Sequence, residues 1–176
     1  QYLNKANTLG HYKTTGPEIW RDTDGKITHL VAAVGTGGTI SGTAQYLKKQ
    51  NPTIKVIGAD PDGSLLRHYF YHTKGKMHPY KVEGPGEDFL PGALDMSVID
   101  EMVVVNDKES FETARNLVRK EGIFAGGSSG LAVFAAMKVA KALSKNAIVV
   151  VILPDSGRSY VSKFYNDEWM KKEGFI

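Results

Sequence analysis

Two glycine-rich turns hold the groups best suited to chemistry, Gly35-Thr36-Gly37-Gly38-Thr39 and Gly126-Gly127-Ser128-Ser129-Gly130. The first follows an apolar run and precedes a helical pattern. Glycines there let the backbone approach an anion closely, and free N–H groups at the positive end of a helix dipole favour a phosphate. Thr36 and Thr39 add hydroxyl donors. A dinucleotide fingerprint needs glycine where Ile40 stands, and a Walker loop needs lysine where Thr43 stands. The spacing therefore fits a small compact phosphate, or else a tight strand-to-helix turn with no ligand.

Pyridoxal phosphate (PLP) and sugar phosphates are both of that size. In the second turn one serine suits an N-cap, which leaves the other hydroxyl free to face a ligand. Neither serine has a histidine nearby in sequence, so a hydrolytic nucleophile is disfavoured. Gly84 to Pro91 combines mobile glycines with Glu87, Asp88 and Phe89, as a ligand-facing loop or a solvated turn would. Pro154-Asp155-Ser156-Gly157-Arg158 offers a carboxylate and a guanidinium, for a site or for a helix cap. The five histidines show no metal-ligand spacing beyond His68 and His72, so no metal is expected.

These turns must be held by a sheet. Ile27 to Val34 and Lys55 to Asp60 are apolar and β-branched, as strands buried on both faces are. Between them, Thr39 to Gln50 repeats apolar residues at helical spacing before Asn51-Pro52 stops it. Strand, helix and strand make a right-handed βαβ unit. A strand over Glu101 to Val105 and a helix from Asn106 or Asp107 to Glu121, closed by Gly122, come next. Helices are also expected over His11 to Thr23, Leu131 to Leu143 and Tyr160 to Lys172. Ala147 to Leu153 is the most apolar strand and is expected at the sheet's centre. Pro61 to Asp100 reads as an irregular connection with a short extended piece near Tyr80 to Glu83, and a connection that long is usually functional. The fold class expected is α/β, a mostly parallel twisted sheet with flanking helices, over one domain spanning residues 1–176.

The 176 residues carry 22 basic and 19 acidic side chains, a net charge of +3, without a basic run that would follow a nucleic-acid backbone. No cysteine is present, which excludes disulfides, thiolate metal sites and a cysteine nucleophile. No apolar run reaches the roughly 20 residues needed to span a bilayer. No membrane and no nucleic-acid partner are expected, and the location expected is cytoplasmic.

The glycine turns belong to a wider pattern. Gln1-Tyr2, Asn4, Ala6-Asn7, His11-Tyr12, Thr14 to Trp20 and Gly35 to Gly42 resemble the fold type II PLP enzymes. Glu83 to Pro91, Glu121 to Gly130, and Leu153 to Arg158 continuing to Met170 favour the bacterial cystathionine β-synthase branch over cysteine synthase. The resemblance implies the large PLP-binding domain of such an enzyme, without its N-terminal segment. It implies that Gly35, Thr36, Gly37, Gly38 and Thr39 hold the cofactor phosphate and that Ser128 hydrogen-bonds the pyridine nitrogen. Gln1, Gly84 and Glu87 are implied on the substrate side. No lysine here stands in the context of the family's Schiff-base lysine, so no catalytic residue is assigned and the chain alone is expected to be inactive. The implied reaction is β-replacement, in which serine or an activated serine exchanges its β-substituent for a thiol such as homocysteine or sulfide. Implied partners are these amino-acid and thiol substrates and a second copy in a homodimer. O-acetylserine sulfhydrylase and a non-catalytic phosphate-ligand or partner-binding domain remain as alternatives.

Overall fold

A computed structural model describes all 176 residues. Its sheet has four strands, β1 (His29–Ala33), β2 (Lys55–Pro61), β3 (Glu101–Val105) and β4 (Val149–Val151). All pairs are parallel, in the order β3-β2-β1-β4, with Leu30 opposite both Val56 and Val150 and Ala59 opposite Val103. Parallel neighbours need crossovers. Helix α3 (Gly38–Gln50) joins β1 to β2, and α5 (Asp107–Glu121) with α6 (Gly127–Ala140) joins β3 to β4.

Alternation along the strands splits the core in two. Leu30 and Ala32 of β1 face a cluster with Ile40, Ala44 and Leu47 of α3, whereas Val31 faces Phe111, Leu131 and Ala135 of α5 and α6. Short helices α1 (Lys5–Lys13) and α2 (Thr15–Asp22) lie against α3 on the first side. On the second side Phe111 stacks on Phe164 at 4.8 Å, with Trp169 and Phe175 at its edges. Arg115, only 8% exposed, donates to the Phe164 carbonyl at 2.8 Å and pairs with Asp167. Arg115→Ala is expected to lower stability by about 2 kcal/mol, because a buried carbonyl loses a charged donor. Arg115→Met, which keeps the apolar stem, should recover part of that loss in urea unfolding.

Helix α5 forms as its sequence specifies. Asn106 and Glu109 make a reciprocal capping box, and Gly122 closes the helix at φ 71°. The expected helix over His11 to Thr23 instead divides at Thr14, whose φ and ψ of −121° and −72° leave the helical region. The Thr14 hydroxyl turns back to Gly10 O at 2.9 Å, a side-chain bond that competes with helix propagation. The last expected helix resolves into a 3-10 turn at Gly157–Tyr160 and α7 (Asp167–Lys172), started by the Asn166 side chain accepting from Glu168 N and Trp169 N.

The strand expected at the centre is instead an edge, β4 beside β1, and only Val149–Val151 join the ladder. Its apolar run reflects two covered faces, not two strand neighbours. Val150 and Ile152 pack on one cluster, Val149 and Val151 on the other. The irregular connection holds a helix α4 (Leu66–Phe70) and a 3-10 turn at Met96–Val98. The piece near Tyr80 to Glu83 forms no strand. Lys81 N and Val82 N donate to the Asp107 carboxylate at 2.8 and 2.9 Å, which takes the place of a strand partner. Helix α6 begins at Gly127 and ends at Ala140, so Ser128 and Ser129 stand in its first turn instead of before it. No helix is long and apolar enough to cross a membrane.

Candidate functional site

A cleft of about 230 Å³ opens where β1 gives way to α3. Gly35, Thr36, Gly37 and Thr39 line one side of it. Gln1, Gly84 and Ser128 also line it, together with Ala33, Ile40, Pro85 and Pro154. Gly38 and Glu87 are not among the lining residues. No lysine lines the cleft either.

The first turn is built to expose its donors. The N–H groups of Gly35 through Ile40 donate to no backbone carbonyl, and the first bond of the new helix is Ser41 N to Gly37 O at 3.0 Å. Gly37 has φ 84°, and a Cβ there would lie 2.4 Å from Leu94 Cβ, so only glycine fits both backbone and space. A Cβ on Gly35 would lie 2.6 Å from the Gly84 carbonyl oxygen, so the two loops meet across the cleft's floor.

Helix α1 backs this turn. Asn7 Nδ2 donates to Thr36 Oγ1 at 3.2 Å and to Gln1 O at 3.3 Å, and fills the space where Gly38 lacks a side chain. His11 Nε2 lies 3.1 Å from Thr39 Oγ1, and its Nδ1 lies 2.9 Å from Thr15 Oγ1. Burial holds the His11 ring below its ordinary value, which favours the neutral ring. Neither Asn7 nor His11 is among the residues the sequence assigned to the site. Their four-residue spacing on a helix that buries no residue was the available signal, since one polar face then meets the protein.

The opposite wall is the Gly84–Gly86 segment, with φ of 100° at Gly84 and 86° at Gly86. Gly86 N donates to Val34 O at 2.7 Å, and Tyr80 Oη donates to Pro85 O at 3.2 Å. Glu87 continues from this wall. Its carboxylate lies near the Tyr2 hydroxyl and raises the tyrosine above its ordinary value.

Neither serine of the second turn caps α6, whose N-cap is Gly126. Asp155 requires that glycine, because a Cβ there would lie 2.0 Å from Asp155 Oδ1. The Ser128 side chain, 7% exposed, is thereby left on the cleft, and Ser129 Oγ is enclosed without a partner. Asp155 itself accepts from Tyr160 Oη at 2.7 Å, and neither it nor Arg158 reaches the cleft lining.

The donor set fits a cofactor with a compact phosphate and a ring nitrogen. Six unpaired N–H groups and two threonine hydroxyls are available to such a phosphate, and Ser128 offers a neutral hydroxyl from α6. A larger groove of about 910 Å³ follows the free edge of β3, beside Arg67, His68 and Lys138, but it contains no such run of free donors.

Comparison with known proteins agrees with this chemistry. Residues 1–155 match the family model described as pyridoxal-phosphate dependent enzyme. The cystathionine beta-synthase of Apis mellifera is 47% identical over the whole chain, which covers 35% of that protein. That of Mus musculus is also 47% identical over the whole chain, covering 31% of its length. The O-acetylserine dependent cystathionine beta-synthase of Bacillus subtilis is 40% identical over 163 residues, 93% of this chain and 51% of that protein. The chain thus spans about a third of the first two relatives and about half of the third. With an α/β fold, an exposed anion turn at the start of α3 and a family match over most of its length, the chain belongs to the pyridoxal-phosphate dependent enzymes.

Proposed function

We propose that this chain forms the phosphate and ring-nitrogen side of the active site in a β-replacement enzyme that makes cystathionine from serine, or an activated serine, and homocysteine. The observation that carries the reading is the run of unpaired N–H groups from Gly35 to Ile40 in a cleft that also receives Ser128. The names of the relatives support the product, and that of the Bacillus protein supports an acetylated serine as first substrate.

When bound, pyridoxal phosphate supplies the electron sink for bond breaking at the amino acid's α and β carbons. The residues of this chain hold and bias it. Gly35 to Thr39 would hold the phosphate through backbone donors, with Asn7 and His11 fixing the two threonine hydroxyls. Ser128 would donate a hydrogen bond to the ring nitrogen and, as a neutral hydroxyl, would leave it unprotonated, a setting that favours loss of the β-substituent. Gln1 and Gly84 bound the space beside the reacting amino acid, and Glu87 stands at its rim. The lysine that bonds the cofactor comes from outside this cleft lining, so the chain by itself does not turn over. The reading includes a cytoplasmic homodimer acting on small amino-acid and thiol substrates.

The test is an assay of the full-length, cofactor-loaded protein with serine or O-acetylserine against homocysteine or sulfide. Cystathionine as the preferred product supports the proposal, and a strong preference for sulfide replaces it with a sulfhydrylase. Ser128→Ala is expected to weaken PLP affinity five- to tenfold, about 1 kcal/mol for one hydrogen bond. A titration followed by cofactor absorbance measures it. Unchanged affinity and spectrum would remove Ser128 from the ring-nitrogen role.

A further inference from the structure

Asp60, next to last in β2, is fully buried, and the site chemistry described above does not use it. One carboxylate oxygen, Oδ2, accepts from Arg67 N at 2.9 Å. The other, Oδ1, is enclosed with no partner. The Arg67 guanidinium does not form a pair with it, since it lies 5.2 Å over the Tyr71 ring. Buried carboxylates normally have a cation or a full set of donors, and this one has neither.

Its surroundings lead to the cleft wall. Arg67 N, which donates to Asp60, ends a short turn from Ser64 to Arg67 whose Ser64 hydroxyl engages Glu87. Ser64 Oγ accepts from Glu87 N at 3.1 Å and from Leu66 N at 3.2 Å. Glu87 O in turn accepts from Leu65 N at 2.9 Å. The hydroxyl itself donates to the Glu87 carbonyl at 3.2 Å. The Asp60 anion is a charged acceptor for Arg67 N, and bonds of that kind are the stronger ones. By holding Arg67 N it fixes the turn whose Ser64 and Leu65 bond Glu87. Pro61, next in the chain, and Tyr80 close on Gly86 from the same side, with a Cβ at Gly86 lying 2.6 Å from Pro61 Cγ and 2.4 Å from Tyr80 Oη.

We propose that Asp60 is a positioning residue: by holding Arg67 N it fixes the Ser64–Arg67 turn and, through that turn's bonds to Glu87, the Gly84–Glu87 wall, and so sets how tightly the cleft holds its amino-acid substrate. The substrate part rests on the β-replacement reading, whereas the coupling between Asp60 and the wall does not. Burial, the largest influence on Asp60, lifts its carboxyl to about 6, against smaller opposing effects from Ser64, Arg67 N and the Arg67 charge. Tyr80 and Glu87 also face this region, with Asp88 and Asp107 acting on Tyr80. Near pH 5.5 the wild-type protein should therefore begin to behave as the uncharged variant does.

The experiment compares wild type, Asp60→Asn and Ser64→Ala in the full-length, cofactor-loaded protein by amide exchange and by steady-state kinetics. Exchange at Glu87 and Leu65 is expected to quicken about tenfold in both variants, with the amides of the phosphate turn unchanged. KM for the amino-acid substrate is expected to rise about fivefold, the worth of roughly one hydrogen bond, with kcat and cofactor affinity retained. Ser64→Thr, which keeps the hydroxyl, should restore both. Unchanged exchange at Glu87 in Asp60→Asn overturns the coupling whatever the reaction proves to be, and faster exchange with an unaltered KM overturns its role toward substrate. If the wild-type protein makes no β-replacement product, the reaction assignment fails while exchange still decides the coupling. Should Asp60→Asn not fold, Ser64→Ala carries the same outcomes.

Discussion

Gly37→Val is expected to abolish tight phosphate binding and to lower stability by about 3 to 4 kcal/mol, from left-handed strain and overpacking together. Residue 37 sits at φ 84°, where any side chain is strained by roughly 1 to 2 kcal/mol. Space is denied as well. A Cβ would lie 2.6 Å from Leu94 Cα, which is backbone and cannot rotate away. Relief requires moving either the Leu94 segment or the turn itself, and the turn is where the free N–H groups converge. Binding and folding should therefore fail together, as read by PLP titration and urea unfolding. Gly84→Ala is the control. Its φ of 100° carries similar strain, but nothing lies within 4 Å of the new carbon, so only about 1 to 2 kcal/mol is expected. Equal losses at the two positions would show that packing against Leu94 contributes nothing.

The contrast between these glycines also marks what the sequence could convey. The glycine turn with its free N–H groups was legible because its geometry is local. Gly35 to Thr39 are consecutive, and one strand and one helix suffice to present their N–H groups. Helix α5 was legible for the same reason, as its start and stop signals, Asn106 and Gly122, lie at its own ends. The order of the sheet was not. Val149 to Val151 are apolar because helices and loops cover both faces, and nothing in that run records whether a strand lies on each side. The Tyr80 to Glu83 piece failed differently. Asp107, some 25 residues on, supplies the acceptors a strand partner would have, and no strand forms.

Most of the residues assigned to the site from the sequence line the cleft, Gly38 and Glu87 being the exceptions, and Asn7 and His11, which were not assigned to it, stand behind it. Asn7 and His11 act on Thr36 and Thr39 from α1, about 28 residues away in sequence. Such support depends on how α1 docks on α3, a tertiary fact with only a faint local trace. Glu87 shows the converse case. Its loop is positioned at the cleft through Gly84 and Pro85, but the Glu87 side chain turns to Tyr2. A ligand-facing motif fixes which segment reaches a site more securely than which of its side chains does.

Asp60→Asn is expected to raise stability at pH 8, although it removes a buried, hydrogen-bonded carboxylate. The folded carboxyl titrates at about 6, against an ordinary value of about 3.9 in the unfolded chain. A group that holds its proton more firmly when folded favours folding most below the lower value and loses that contribution as pH rises through the upper one. Above pH 6 the folded protein therefore carries a poorly solvated charge that the unfolded chain does not. Two pH units at roughly 1.4 kcal/mol each bound the penalty at about 3 kcal/mol. Asparagine keeps an oxygen for Arg67 N but leaves amide donors to be accommodated, so a gain of about 1 to 2 kcal/mol is expected at pH 8. The gain should shrink as pH falls through 6 and be gone, or reversed, near pH 4, in urea unfolding of the full-length protein across that range. A loss of stability at pH 8 would mean that the Asp60 anion is better satisfied than its unpartnered Oδ1 indicates. A gain in stability joined to a rise in KM is an outcome that loss of packing alone does not produce, because a loosened fold weakens both together. That combination would identify Asp60 as a charge the fold tolerates for the sake of the wall it positions.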